Sequence, residues 1–540
     1  MKKQLGLYIV ILVFIPLLLS AYTGEIVKSF NTPAFHATGI TFDGMHIWVA
    51  DRKTDLIYCV DTATGKTIRS ISTPAYWSTG IAWDGEYLWN ADVRGGVPMY
   101  ENFIGKIYKI DSKNGNILKT IQAPSNSPIG LAWDGKYLWC ADPVSDEIIQ
   151  FSADDGTTIR TLKSPASDPN GIAFDGIYLW ITDRNKNEIY MMDPENGCVI
   201  IIAEAPGPYT NSLCYDGKHL WASDYQNDKL YQLKIHDAAL YKISNEKKSK
   251  VTYTYTINNF GPGNVNSIDV HFAIPANRAN QIINGPITYS PNYTDIVTDQ
   301  WGQKTTRFHF EKMKSGESKE IQMVSNITTY DVRYFIYPNK VGALSTIPDS
   351  IKNLFLANNE KYQYDDTIIT NALKKAIGTE KNPYWIARNI YNYIHKHMYY
   401  EMVGGWNTAP TVLSRGNGSC SEYSFLYISM CRAAGIPARY VGAVVERGEE
   451  ASMDNVFHRW VEVYLPGYGW IPVDPSGGDK TLPRDQADCF GALSNRFYIT
   501  TQSGGGSETL GWSYNSYEFW STDPHTFMVY ENFADWEPIK

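Results

Sequence analysis

Positive charge is nowhere concentrated in this chain. Its 540 residues carry 48 Lys and Arg against 57 Asp and Glu, for a net charge of −9, and no basic run interrupts them. Without a basic stripe there is no electrostatic footprint for a nucleic acid, and that class of partner is not expected. Long apolar runs are also absent beyond the N-terminus, so no second segment is suited to span a bilayer. Cysteine is scarce, with seven residues, and the odd number leaves at least one thiol unpaired or pairing between chains. Charged residues are only 19%, yet 43% of the chain is hydrophobic, which excludes a disordered chain.

What is present begins with an export signature. Lys2 and Lys3 precede an apolar run from Leu5 to Leu19, and Ser20-Ala21 offers small residues for cleavage. Residues 1–22 therefore read as a signal peptide, which places the protein outside the cell or in its envelope. An uncleaved anchor is the alternative, and it is the one membrane link expected. The length calls for three or four modules. The 16 Trp and 38 Tyr, set mostly in strand-like segments, point to sheet-rich architecture.

The first 236 residues repeat. An Asp-Gly pair recurs at Asp43, Asp84, Asp134, Asp175 and Asp216, at spacings of 41, 50, 41 and 41, with an insertion near Gly95-Gly96-Val97-Pro98 in the long interval. Each unit reads as four strands joined by turns, the size of a propeller blade. The last unit ends after Leu233 without a fourth strand, and Glu25 to Phe30 is placed to supply it, removing an exposed edge. Residues 24–236 thus read as an all-β propeller of about five blades, resembling short-repeat propellers. Each unit carries a second aspartate, Asp51, Asp92, Asp142, Asp183 and Asp224, and a tryptophan, Trp48, Trp89, Trp139, Trp180 and Trp221. The aspartates read as turn braces, with a carboxylate ring for a cation or sugar as the alternative. The tryptophans read as core between blades.

Residues 238–340 alternate as strands between Gly, Pro and Asn turns and read as a β-sandwich linker module without chemistry of its own. Helical periodicity starts at Pro348. Asp365-Asp366 caps a helix from Thr367, and Pro383 starts another that runs to His397. His395 and His397 lie two apart, on different faces, and read as solvated or dipole-facing rather than as metal ligands.

The chemistry lies in Gly418-Ser419-Cys420-Ser421-Glu422-Tyr423, in His458 and in Asp474. Cys420 opens a helix, where the dipole lowers a thiol pKa and a free N–H is available to an oxyanion. His458 sits on an alternating strand, and Trp470 to Asp474 returns after a turn near Pro466. The even separation puts both side chains on one face of the hairpin, so Asp474 orients His458, the base for Cys420. Pro472 marks a free edge on the return strand. Asp454 and Asp479 are the other candidate carboxylates. Cys431, about 16 Å along the same helix from Cys420, reads as core and beyond disulfide reach. Arg432 and Arg439 read as braces.

Four ordered blocks carry a family resemblance: Gly418-Ser419-Cys420; Cys431 to Val441; His458-Arg459-Trp460-Val461-Glu462-Val463; and Gly469-Trp470-Ile471-Pro472-Val473-Asp474-Pro475. Together they resemble the transglutaminase-like superfamily. The resemblance implies an α+β, papain-like core within residues 348–540, with Cys420 as nucleophile, His458 as base and Asp474 as orienting carboxylate. Trp406, Ser419 and Trp460 are candidates for the oxyanion site or pocket wall. No cofactor and no metal are expected. Three functions follow: an exported cysteine peptidase or amidase acting on a protein or peptide, with the propeller capturing a protein or glycan; a glutamine cross-linking acyltransferase; or a surface binding protein with a vestigial triad. Hydrolysis is favoured, since no metal site typical of regulated cross-linkers is visible.

Overall fold

The computed structural model describes residues 21–93, 105–236, 239–402, 406–448 and 452–539. Most of the expected export segment and the insertion at Gly95–Pro98 lie outside them.

Among the described residues the repeats fold as five four-stranded antiparallel sheets, in the first case Ala37–Phe42, His46–Asp51, Leu56–Asp61 and Thr67–Ser72. In the fifth sheet the N-terminal strand Ile26–Asn31 pairs with Lys229–Leu233 and completes the set. The first strand of each sheet packs on the first strand of the next, and that of the fifth, Thr210–Tyr215, packs back on Ala37–Phe42. The approach is close enough to dictate sequence. A Cβ on Gly39 would lie 2.4 Å from Thr79 O, and one on Gly80 2.5 Å from Ile129 O. In the fifth sheet a serine stands at this position, and Ser212 Oγ accepts from the Ile40 N–H at 2.9 Å.

The Asp-Gly turns explain the repeat. Asp43 Oδ1 accepts from the N–H groups of Met45 and His46 at 2.8 and 2.7 Å, and Oδ2 accepts from Trp48 Nε1 at 2.8 Å. The indole bond recurs at Asp84, Asp134, Asp175 and Asp216, with Trp89, Trp139, Trp180 and Trp221. Those five tryptophans are buried. The second aspartates act as braces too. Asp51 Oδ1 accepts from the Lys53 and Thr54 N–H groups, and its Oδ2 accepts from the His36 N–H. Asp183 and Asp224 make the same long-range bond to the N–H groups of Asp168 and Tyr209.

The next module consists of two sheets around one core. One sheet is built on Tyr241–Pro262 and Ser318–Tyr334, the other on Val265–Ala273 and Lys304–Met313. Tyr253, Tyr255 and Ile257 of the first sheet meet Val270, Phe272 and Phe308 of the second. The boundary read from the sequence is corrected here. Ser516–Thr522 and Thr526–Pro538, expected inside the catalytic module 348–540, are strands of these two sheets. They pair with Val265–Ala273 and with Tyr241–Pro262. The physical reason is the long edge that the 22-residue strand Tyr241–Pro262 would otherwise expose.

Between these segments lie the helices Thr367–Ile377, Pro383–His397 and Cys420–Ala433 and a sheet ordered Gly469–Val473, His458–Leu465, Ala438–Val445, Phe497–Ser503. Pro472 is on the edge strand of that sheet. The module is docked rather than tethered to the ring. The outer strands Thr67–Ser72, Ile117–Gln122 and Thr158–Lys163 are largely exposed, but Val199–Glu204 of the fourth sheet is buried up to Ala203. Helix Pro483–Asp488 covers it. Arg484 pairs with Glu188 at 2.7 and 2.8 Å, and its N–H donates to Pro165 O at 3.0 Å. Trp180, Ile200 and Ile201 of the ring share one apolar cluster with Tyr384, Ile390 and Tyr427 of the helices. Ile200 and Ile202 are 7% and 4% exposed, against 46% for Ile159 in the equivalent strand. Burying each such side chain contributes roughly 1.5–3 kcal/mol.

Candidate active site

Helix Cys420–Ala433 starts where its sequence directs. Gly416, at φ +79°, ends the preceding helix Ala409–Arg415 in the left-handed region. Asn417–Gly418 then pairs in parallel with Tyr399–Tyr400. Ser419 is the N-cap and Cys420 the first helical residue. The fully buried Glu422 holds this junction. Its carboxylate accepts from the Ser419 N–H at 3.2 Å, from the Asn407 N–H and Nδ2 at 3.0 Å, and from Arg415 Nη2 at 2.7 Å. The sequence places Glu422 in the Cys420 block without a role, although Ser419-x-x-Glu422 is a capping-box pattern. Cys420 is half-buried, whereas the helix from Ser421 to Arg432 is buried throughout.

His458 begins its strand after Phe457, which stands at φ +59°. Asp454 Oδ1 accepts from the Phe457 N–H at 3.0 Å and pairs with Arg447, which also donates to Phe457 O. Asp454 therefore fixes the entry of the histidine strand. The hairpin register pairs Val461 with Val473 and Leu465 with Gly469. Its centre is Gly467, one residue beyond the expected turn, so Asp474 stands one pair beyond Val473, diagonal to His458 rather than beside it. The carboxylate spans the diagonal. Asp474 Oδ2 lies 2.7 Å from His458 Nε2. Its Oδ1 accepts from the N–H groups of Ser476 and Gly477 at 3.0 and 2.8 Å and from Ser476 Oγ at 2.8 Å. Trp460 and Phe497 stack against the imidazole, each at 5.8 Å between centroids. Nε2 is thus committed to Asp474, which leaves Nδ1 for the thiol.

The charges reinforce one another. Burial pushes the Cys420 thiol up, but the His458 side chain, the Arg459 backbone N–H and the Arg459 charge together hold it below its ordinary range. Burial lowers His458, and the Asp474 carboxylate with the Cys420 sulfur outweighs it, raising the imidazole to about 10. Burial raises Asp474, and His458 with the turn N–H groups brings it down to about 2. These shifts all favour a thiolate, an imidazolium and a carboxylate in sequence. Arg459 is a further contributor that the sequence reading left unassigned. It is fully buried, donates from Nη2 to Trp512 O at 2.6 Å, and lies between the rings of Trp406, Phe425, Tyr440 and Tyr514 at 4.4 to 5.1 Å.

The remaining candidates are placed as follows. Trp406, at φ +42°, lies over Arg459 and 6.5 Å from Tyr514. Ser419 contributes the cap, and Trp460 backs the imidazole. Cys431 is buried and its thiol is pushed well up by burial. All seven cysteines are free thiols. Arg432 donates to the carbonyls of Ala357, Ala438 and Gly504, and Arg439 pairs with Glu462 at 2.7 Å. The expectation of solvated histidines is corrected at His395. This ring is half-buried against Tyr391, its Nε2 lies 2.9 Å from Pro475 O, and burial lowers it to about 4. It supports the turn that carries Asp474.

Residues 371–475 match the model of the Transglutaminase-like superfamily. An uncharacterized protein of Haemophilus influenzae is 31% identical over 132 residues, 20% of this chain and 36% of its own length. The uncharacterized protein YebA of Bacillus subtilis is 37% identical over 71 residues, 11% of this chain and 10% of that one. The chain thus spans about a third of the first relative and a tenth of the second. A structure described as a candidate cysteine protease from Cytophaga hutchinsonii covers 54% of this chain and 92% of its own, at 18% identity and a TM-score of 0.39. The stretch that holds Cys420, His458 and Asp474 is a transglutaminase-like domain.

Proposed function

We propose that this protein is an exported cysteine hydrolase that cleaves amide bonds in a protein or peptide through a thioester on Cys420. The observation that carries the reading is the Asp474 Oδ2 to His458 Nε2 contact of 2.7 Å, with the same imidazole hydrogen-bonded to the Cys420 thiol at a helix N-terminus. The Cys420 thiolate attacks the carbonyl carbon, and the oxyanion develops beside the free N–H of Cys420 in the first helical turn. Collapse breaks the C–N bond. His458 gives its proton to the departing amine and then takes one from the water that resolves the thioester, while Asp474 stabilises the imidazolium.

In this reading the five sheets are a five-bladed propeller over 24–236, the two-sheet module is a β-sandwich, and the propeller presents a protein or glycan to the core. Export rests on Lys2, Lys3 and the apolar run to Leu19. Among the described residues no helix is long and apolar enough to cross a membrane.

Transfer to an amine differs from hydrolysis only in the nucleophile that resolves the thioester. Mass spectrometry of a glutamine-containing peptide incubated with the protein, with and without a primary amine, separates them. Hydrolysis predicts an 18O label from labelled water in the product and no amine adduct. A quantitative adduct would move the assignment to cross-linking, and no product dependent on Cys420 would remove both.

A further inference from the structure

The five sheets carry a natural control for one unusual cluster. In each sheet the tryptophan held by the first aspartate has a cross-strand partner in the third strand. Trp48 faces Cys59, Trp89 faces Lys109, Trp139 faces Gln150, Trp180 faces Met191 and Trp221 faces Gln232. In three sheets this residue places a donor on the aspartate oxygen that also takes the indole N–H. Lys109 Nζ lies 2.9 Å from Asp84 Oδ2, Gln150 Nε2 donates to Asp134 Oδ2 at 2.7 Å, and Gln232 Nε2 donates to Asp216 Oδ2 at 3.1 Å. The position is one that a cationic or N–H group occupies beside a carboxylate.

In the first sheet that position holds a thiol. The ligand atoms of Asp43, His46 and Cys59 all lie within 4.8 Å of one another. His46 Nδ1 is 3.6 Å from Asp43 Oδ2. A tetrahedral zinc ion with metal–ligand distances of about 2.0–2.3 Å requires ligand separations of about 3.3–3.6 Å, so small side-chain adjustments suffice. The set is one carboxylate oxygen, one imidazole nitrogen and one sulfur, which suits Zn2+ and disfavours Mg2+ or Ca2+. Cys59 is buried, while the side chains of Asp43 and His46 keep 15% and 26% of their surface open to solvent, enough for ion entry and a water ligand. The flanking charge is Arg69, which lies over the Trp48 ring at 4.8 Å and donates to Ser112 O.

We propose that Asp43, His46 and Cys59 form a binding site for a zinc-like divalent cation on the first sheet, with water as fourth ligand. The ion takes the place that the Lys109 ammonium fills in the second sheet. Binding releases the Cys59 proton to solvent as the sulfur–metal bond forms. The ion would hold the Asp43 turn and the third strand together beside the junction with the fifth sheet.

The test uses the full chain in a Cys420→Ala background, which removes the reactive thiol of the active site. Cd2+ and Co2+ titrations read the thiolate-to-metal charge-transfer band, and calorimetry reads Zn2+ affinity and stoichiometry. Cys59→Gln and His46→Tyr install residues that sister repeats carry at the same places, so both variants are expected to fold, with circular dichroism as the check. The proposal expects one equivalent of metal and a thermal midpoint raised by Zn2+. It also expects the band to be lost in Cys59→Gln and affinity to fall at least about tenfold in His46→Tyr. A band that persists in Cys59→Gln, an affinity unchanged in His46→Tyr, or uptake only at large metal excess, meaning an adventitious ion only, overturns it.

Discussion

Asp134 in the ring and Asp474 in the candidate active site are built alike. Each opens a turn by accepting the N–H groups two and three residues ahead on Oδ1, and each offers Oδ2 to the N–H of an aromatic ring. At Asp134 that ring is the indole of Trp139, whose N–H never ionises at accessible pH. At Asp474 it is the imidazole of His458, a ring that can be protonated and whose pKa the carboxylate raises. One local device therefore serves as a clasp in one region and as a proton-tuning element in the other. The difference lies in the partner brought to the second oxygen.

The strongest test of this contrast removes the group that Asp474 ultimately serves. Cys420→Ala is expected to lower kcat/KM by about 10^4–10^6, measured on any substrate the wild type turns over. Asp474→Asn is next. Asparagine keeps an oxygen for the Ser476 and Gly477 N–H groups but places an amide against Nε2, so the turn survives while activity falls by about 10^2–10^4. Its thermal midpoint should move far less than its activity. Alkylation of Cys420 against pH sharpens the point. In the wild type the reactive thiolate persists below the ordinary thiol range and is lost as pH falls through its lowered pKa. In turnover the alkaline limb falls as the imidazolium deprotonates near 10. His458→Ala should shift alkylation to higher pH, and an unshifted profile would deny the ion pair.

The ring half of the comparison predicts the reverse pattern. Asp134→Asn leaves the Trp139 indole N–H without an acceptor and should cost about 1–3 kcal/mol in chemical denaturation, with kcat/KM unchanged. A second comparison sets equivalent positions of two outer strands side by side. Ile200→Lys on the docked strand buries an unpaired charge and should cost roughly 3–5 kcal/mol, whereas Ile159→Lys on the exposed strand gives the smallest effect, within about 0.5 kcal/mol. Equal losses would deny that the ring and the core are packed as one unit.

Much of this was legible in the chain. The Asp-Gly pairs announce their turns because an Asx turn and a positive-φ glycine are local features. Cys420 and His458 sit at element starts marked by Ser419 and by strict alternation. Glu422 was readable through its capping box, and the docking strand through Val199-Ile200-Ile201-Ile202, where the outer strands of the first three sheets carry Arg69, Lys119 and Arg160. Arg459 carried no comparable signal, because its aromatic surround comes from Trp406, Phe425, Tyr440 and Tyr514, dispersed over more than 100 residues. The entry of Thr526–Pro538 beside Tyr241–Pro262 was likewise hidden, since strand pairing leaves no mark in either segment alone.

The sequence by itself determined the repeat, the turn chemistry and the residue types of the candidate site, because each depends on neighbours within a few positions. Tertiary structure alone decided which aspartate meets an ionisable ring, which outer strand is covered and which charge lies beneath the thiol. Those outcomes rest on packing between segments far apart in the chain, and a side chain's chemistry follows from the partner that packing delivers.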